Sequence, residues 1–225
     1  MNILICENKL KIDNNIANEF TNYMQKYPNL YEELAKTIYE EVNKDAKKPI
    51  ILDLGSGPAL INHEIKKILK HSIILSLDAS LEMLKKAQKT SNKTFSNKIN
   101  GILSVSEKIP IKNNTIDIMI SRFSLSYWKN PKKAFSEMYR IIKPNGKLIL
   151  EALNKNFPKW KLFLIKIHMN TKLAGKNVIK YHVDAYKKAY DFNQIKSLLL
   201  SADFKINRIE YKNKDWKIKI IASKK

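Results

Sequence analysis

Residues 50–65 read IILDLGSGPALINHEI, and no other stretch restricts the fold so tightly. A run of Ile and Leu that stops at Asp and breaks into Gly predicts a buried strand entering a tight turn. From Pro58 to about Leu69 the apolar residues take helical spacing. Pro58 suits a first helical turn, where its missing N–H goes unused. Strand, glycine turn and helix in that order lead to the carboxyl edge of a parallel sheet, where exposed backbone and a helix N-terminus can hold a small molecule.

The elements around this unit alternate. Two helices precede it, at 16–26 and 29–43; in the second, Leu30, Leu34, Ile38 and Val42 recur every four positions with Glu32, Glu33, Glu40 and Glu41 between them. Strands at 50–54, 73–77, 100–104, 116–120 and 147–152 are separated by helices at 59–70, 80–90 and 131–142, with the turn KPNG before the fifth strand. Alternation of this kind means a parallel sheet with helices on both faces and right-handed crossovers. After Leu153 the pattern changes. Residues 154–190 hold aromatics and lysines and no clear strand. A helix then runs from Asn193, read as its N-cap, to Ala202, and strands at 204–211 and 216–222 are joined by KNKD. The expectation is one α/β domain over 1–225, with a seven-stranded sheet closed by an antiparallel hairpin. Its parts are a helical lead-in (1–48), a ligand-binding core (49–153), an insertion (154–192) and a final helix and hairpin (193–225).

Composition narrows the setting. No apolar run nears the roughly 20 residues of a membrane span, and the N-terminus MNILICENKLKIDNN lacks the layout of a secretory signal. With Cys6 as the only cysteine, neither a disulfide framework nor a cysteine-rich metal site is expected, and no His/Asp/Glu spacing suggests a metal. A cytoplasmic protein is expected. The net charge is +21, and all but three of the 42 basic residues are lysines. Abundant Lys, Asn and Ile fit an AT-rich coding bias, yet the charge is uneven. Residues 1–50 carry 7 lysines against 8 acids, whereas 51–150 carry 17 basic and 7 acidic groups and 151–225 carry 18 and 6. A field concentrated on the later two-thirds favours anionic partners or substrates.

The first strand ends at Asp53–Leu54, placing Gly55-Ser56-Gly57 at the sheet edge. Twenty-three residues past Gly55, Asp78 stands at the tip of the second strand, where a carboxylate can accept both hydroxyls of a ribose. A dinucleotide site would want a third glycine where this chain has Leu60, so the glycine turn alone leaves the ligand open between two cofactors.

The segments ILDLGSGPA, LDASLEMLKKA, SEKIPIKNNTIDIMISRFSLSYWKNPKKAFSEMYRIIKPNGKLIL and LLLSADF resemble, in order and spacing, the class I S-adenosylmethionine-dependent methyltransferases. They are most similar to the small-molecule group that includes the ubiquinone and menaquinone C-methyltransferases. The resemblance spans about residues 30–222 and implies a Rossmann-like methyltransferase sheet, with S-adenosyl-L-methionine as cofactor and S-adenosyl-L-homocysteine as product. It implies that Asp53, Gly55, Ser56 and Gly57 shape the loop beneath the methionine moiety. Asp78 and the neighbouring Ala79 would serve the ribose, and Met83 would pack on adenine. Ser106 and Glu107 would line the adenine pocket through backbone groups, and Ser121 would face the cofactor's amino group with Arg122 and Phe123 beside it. Three positions depart from the family pattern. Val105 replaces an acid before SEKIP, Asn145 stands in the turn Lys143-Pro144-Asn145-Gly146, and Asp203 stands in Ala202-Asp203-Phe204. Asn and Asp both tolerate a left-handed backbone, so only Val105 bears on cofactor affinity.

Methyl transfer from a sulfonium is an in-line displacement that needs a base only when the nucleophile carries a proton of high pKa. His182 and Tyr127 are the candidate bases. Nine lysines and one acid lie between 155 and 188, where Phe157, Trp160, Phe163, Leu164 and Ile167 make a broadly helical apolar face. This cover suits a small anionic or lipid-like acceptor, or peripheral contact of 155–188 with an anionic membrane. No obligate protein partner is implied. A tRNA, rRNA or other nucleic-acid methyltransferase, and a non-catalytic S-adenosylmethionine-binding module, remain as alternatives. Against the first, SRFSLSYW stands where a base-amine motif would follow the fourth strand.

Overall fold

The computed structural model describes residues 4–5, 12–43, 45–95 and 99–225. Cys6 and most of the N-terminal stretch considered as a secretory signal lie outside them. The chain opens with a two-residue strand β1 (Leu4–Ile5) and two helices, α1 (Asn14–Met24) and α2 (Pro28–Glu41). The Asp13 carboxylate caps α1 by accepting from the Ile16 N–H at 2.8 Å, and Pro28 starts α2. The alternating core follows as β2 (Ile50–Leu54), α3 (Ile61–Ile68), β3 (Ile73–Asp78), α4 (Leu81–Phe95), β4 (Asn100–Leu103) and β5 (Ile116–Arg122). After a 3₁₀ turn at Leu125–Tyr127 come α5 (Pro131–Ile141) and β6 (Ile142–Leu153). Two helices, α6 (Lys159–Thr171) and α7 (Lys176–Lys187), then precede α8 (Phe192–Ser201) and the strands β7 (Lys205–Glu210) and β8 (Lys217–Ser223).

The sheet runs β1-β4-β3-β2-β5-β6-β8-β7. The first six strands in that order pair in parallel, and β8 is antiparallel to both β6 and β7. The seven expected strands are present, and β1 adds a short edge beside β4. Side-chain alternation along each strand divides the core into two layers. Leu52, Leu54, Met119, Leu148 and Leu150 meet Phe135, Met138, Ile195 and Leu199 of α5 and α8. The intervening Ile51, Ile118, Ile120 and Ile149 meet Leu34 and Ile38 of α2 and Ile61 and Ile65 of α3. Strands covered on both sides read as unbroken apolar runs, which is why IILDL and IDIMIS are so marked.

Three local expectations are corrected. Pro58 does not open α3: Ala59 turns left-handed (φ 51°) and the helix begins at Ile61. KPNG is not a separate turn but a bulge inside β6, where the pairing jumps from Ile116↔Ile142 to Ile118↔Lys147; Asn145 (φ 63°) takes the left-handed position. The cap of α8 is Asp191, not Asn193. Its side chain accepts from the Gln194 N–H at 2.9 Å while the Gln194 side chain accepts from the Asp191 N–H at 3.0 Å. That reciprocal pair satisfies two donors at once.

Candidate active site

Strand order reverses at β2, whose neighbours β3 and β5 are followed by chain running to opposite sides of the sheet. A crevice therefore opens at the carboxyl ends of β2 and β5. The loop leaving β2 is folded tightly there. Gly55 (φ 74°) and Gly57 (φ 53°) take left-handed conformations that glycine adopts without steric cost. The N–H groups of Gly55 and Ser56 both donate to the Leu77 carbonyl, at 2.8 and 3.0 Å, hooking the loop onto β3.

Asp78, at the tip of β3, completes the loop. Its Oδ2 accepts from the Gly57 N–H at 2.7 Å and its Oδ1 from the Ser80 N–H at 2.8 Å. Burial raises its pKa, partly opposed by those two hydrogen bonds. Each carboxylate oxygen has two lone pairs, so one on each oxygen remains for a ligand. Ala79, Met83, Val105, Ser106 and Glu107 share this wall. The Glu107 carboxylate is itself engaged, accepting from the Asn130 N–H at 2.9 Å and the Ser106 hydroxyl at 3.0 Å. Those two bonds hold the segment against the start of α5.

On the β2–β5 side, burial first and then the neighbouring Asp78 push the Asp53 carboxyl up to about 7, with Arg122 opposing the shift. Arg122 also lines the crevice, but its Nε lies 3.1 Å from Glu151 Oε2 in a buried ion pair. Its guanidinium stacks over Tyr31 and Phe123 at 4.8 and 4.9 Å. Phe123 holds a left-handed backbone (φ 53°), which a bulky side chain adopts at a cost. Ser121 is fully buried behind the wall, with its Oγ 2.7 Å from that of Ser124. Ser124, not Ser121, lines the crevice. The sequence places both serines at the end of the strand, and the turn at Phe123 decides which one faces in.

The crevice is roofed into a cavity of about 850 Å³. One side of the roof is Phe20, Tyr23 and Tyr27 at the α1–α2 junction; the other is Ile165, His168 and Met169 of α6 with Tyr181, His182 and Tyr186 of α7. Tyr27 Oη lies 3.3 Å from His168 Nε2, joining the two sides. The aromatic contribution of α1 was not anticipated, although Phe20, Tyr23 and Tyr27 recur at helical spacing. Both candidate bases reach the cavity. Burial pushes His182 down to about 4, leaving a neutral imidazole packed edge-on against Tyr186 at 5.1 Å. Tyr127 is pushed up to about 12, chiefly by burial, and its hydroxyl donates to the Tyr181 carbonyl at 3.0 Å. It anchors α7 and is not placed to act as a base. None of the nine lysines between 155 and 188 lines the cavity; the lysines that do are Lys129 and Lys133.

A methyltransferase-domain family model matches residues 52–150, the span that carries the glycine loop, Asp78 and the end of β5. A ubiquinone/menaquinone biosynthesis C-methyltransferase of Wigglesworthia glossinidia brevipalpis is 27% identical over 87% of this chain and 85% of its own length. The chain carries a methyltransferase domain of the class I fold. Among solved structures, a Methanococcus maripaludis protein assigned to the same class superposes with a TM-score of 0.69, at 24% identity and over 98% and 97% of the two chains. The plantazolicin methyltransferase, solved with S-adenosylhomocysteine, gives 0.72 at 15% identity, over 95% and 91%. The residues of this site fit an S-adenosyl group of the kind that neighbour holds. The buried Ser56 hydroxyl on the glycine loop has no hydrogen-bond partner among the described residues, and a Cβ at Gly57 would have only Phe20 within reach, at 3.8 Å across the cavity.

Proposed function

We propose that this methyltransferase acts on a small, lipid-like acceptor bearing a ring, held beneath the aromatic roof beside the cofactor loop. The observation that carries this reading is the character of the wall. Phe20, Tyr23, Tyr27, Tyr181 and Tyr186 line the roof, the lysines of 155–188 stand outside it, and Arg122 is tied to Glu151. Aromatic walls favour planar apolar ligands through burial and ring packing. At about 850 Å³ the cavity is at the upper end of ligand-site volumes of roughly 300–1,000 Å³, which leaves space for a second small molecule beside a cofactor. The relative named for ubiquinone and menaquinone biosynthesis supports an acceptor of this class.

The cofactor, when bound, supplies an electrophilic methyl group on a sulfonium. The residues divide the remaining tasks. The outward lone pairs of Asp78 take the ribose hydroxyls; Ala79 and Met83, with the backbone of Ser106 and Glu107, flank the adenine. Gly55, Ser56 and Gly57 lie beneath the methionine portion. Asp53, whose carboxyl is raised by burial, becomes fully ionised when a cationic ligand settles against it. The roof excludes water and holds the acceptor in line, which is the protein's main contribution to such a displacement. His182, which lines the cavity, is the side chain that would take up the proton the acceptor releases.

Three substrates supplied separately with cofactor carrying a labelled methyl group test the proposal: a short-tailed para-quinol in detergent, a water-soluble aromatic carboxylate, and tRNA. Label is expected in the quinol alone. Label in the carboxylate alone would restore an anionic acceptor, and label in tRNA alone would establish a nucleic-acid methyltransferase.

A further inference from the structure

An amphipathic helix needs one apolar face to pack against its domain; α6 has two. Its inner face is Leu162, Ile165 and Met169, which pack against α7 and the α1 aromatics. On the opposite side Trp160, Phe163, Leu164 and Ile167, at the i, i+3, i+4, i+7 spacing of a single stripe, are exposed; Trp160 and Phe163 are 63% and 62% accessible. Two residues beyond the helix, Leu173 is 85% exposed. These five make up half of the ten large apolar side chains exposed among the described residues. Helical geometry at about 100° per residue puts Lys159 and Lys166 along one edge of the stripe and Lys161 along the other.

We infer that this outer face of α6 seats the enzyme on the surface of an anionic lipid bilayer. The charge pattern selects that occupant. Lysines bordering an apolar stripe can lay their stems along it and reach anionic headgroups, as interfacial helices do, while a tryptophan suits the boundary between apolar and wet regions. Two copies of this chain meeting through the same stripe about a two-fold axis would set lysine edges against lysine edges. No helix among the described residues is long and apolar enough to cross a membrane, so the contact is peripheral. The inference rests on the lipid-like acceptor: the same helix lines the cavity with its inner face, bringing the acceptor pocket to the surface where such a molecule resides.

Co-sedimentation of the full chain with vesicles of equal parts phosphatidylglycerol and phosphatidylcholine tests this, with pure phosphatidylcholine vesicles as the comparison. Binding to the anionic vesicles is expected, with Trp fluorescence shifting to the blue. Trp160→Ser with Phe163→Ser should weaken it at least about tenfold. Each of Lys159→Gln and Lys166→Gln should cost roughly fivefold at low salt. S-adenosylhomocysteine affinity should not change in any variant. The inference is overturned by absence of vesicle binding, by binding that the variants retain, or by a wild-type dimer that the double variant dissolves. Vesicle binding without methyl transfer to the detergent-dispersed quinol would sink the acceptor assignment and leave the docking face standing. Transfer without vesicle binding would do the reverse.

Discussion

Gly55→Ala and Gly57→Ala should have different consequences, although the two positions are separated by one residue in one loop. At Gly55 a Cβ would sit 2.5 Å from Ser124 Cβ and 2.9 Å from its Oγ. Ser124 cannot easily retreat. Its carbonyl accepts from the Tyr127 N–H at 2.9 Å in the 3₁₀ turn, and its hydroxyl lies 2.7 Å from that of Ser121. The left-handed conformation costs an alanine about 1–2 kcal/mol, and the overlap adds about 1–3 kcal/mol. For a domain of this size 1 kcal/mol lowers Tm by roughly 2–4 °C, so Gly55→Ala should lose on the order of 10 °C. At Gly57 the nearest atom is 3.8 Å away, which is ordinary contact. Gly57→Ala should therefore lose only a few degrees, while its methyl enters the cavity and weakens S-adenosylhomocysteine binding by about tenfold or more. Calorimetric melts and ligand titrations of the two variants separate these effects. A Gly55→Ala protein as stable as wild type, or a Gly57→Ala protein that melts lower than Gly55→Ala, would refute the reasoning.

Glu151 is 2% exposed, and its carboxylate pairs with Arg122 at 3.1 Å and Lys217 at 2.7 Å. Glu151→Gln should cost about 3 kcal/mol, the lower end for a broken buried pair because the amide oxygen still accepts one N–H; urea melts measure it, and a change under about 1 kcal/mol would mean the pair is not buried in solution. Stability should also depend on pH through two groups of opposite sign. His182 titrates near 4 in the folded state against an ordinary 6.5, so the unfolded chain takes up its proton first and stability falls as pH drops from about 6.5 towards 4. Asp53, raised from 3.8 to about 7, contributes stability that is full below pH 3.8 and lost as pH rises through 7. His182→Phe should remove the first slope, and Asp53→Asn should reduce the second, to which the raised Asp78 carboxyl also contributes, in denaturant titrations across that range; variants with wild-type slopes would contradict both assignments.

The glycine-loop half of the candidate site is legible in the sequence because its determinants are local. An apolar run ending in Asp, two glycines and a second acid at the next strand tip lie within thirty residues, and the fold brings each to the expected strand end. The acceptor half is not, because it depends on which of two equivalent faces turns inward. Helix α6 is apolar on both sides, and Phe157, Trp160, Phe163, Leu164 and Ile167 have the regularity of a core face. The structure instead buries Met169 and packs the half-buried Leu162, Ile165 and Phe157 inward, leaving the other four exposed. That Ser124 rather than Ser121 lines the cavity has a similar cause, since a left-handed Phe123 cannot be read from periodicity. Pro58 and Lys143-Pro144-Asn145-Gly146 mark breaks correctly, but a proline or glycine does not say whether the break is a turn, a bulge or a delayed helix start. Asn193 is a residue type that caps helices, but Asp191 with Gln194 at the third helical position forms the reciprocal pair.

Titration calorimetry with S-adenosylhomocysteine on wild type and Asp78→Ala is the most direct test that the cavity at the ends of β2 and β3 is the cofactor site. One binding site per chain is expected. Asp78→Ala should weaken binding by about 1.5–3 kcal/mol, the range for hydrogen bonds to a charged group, or roughly tenfold to 150-fold. Unchanged affinity in the variant, or no binding by wild type alongside tight binding of a nicotinamide dinucleotide, would contradict the assignment.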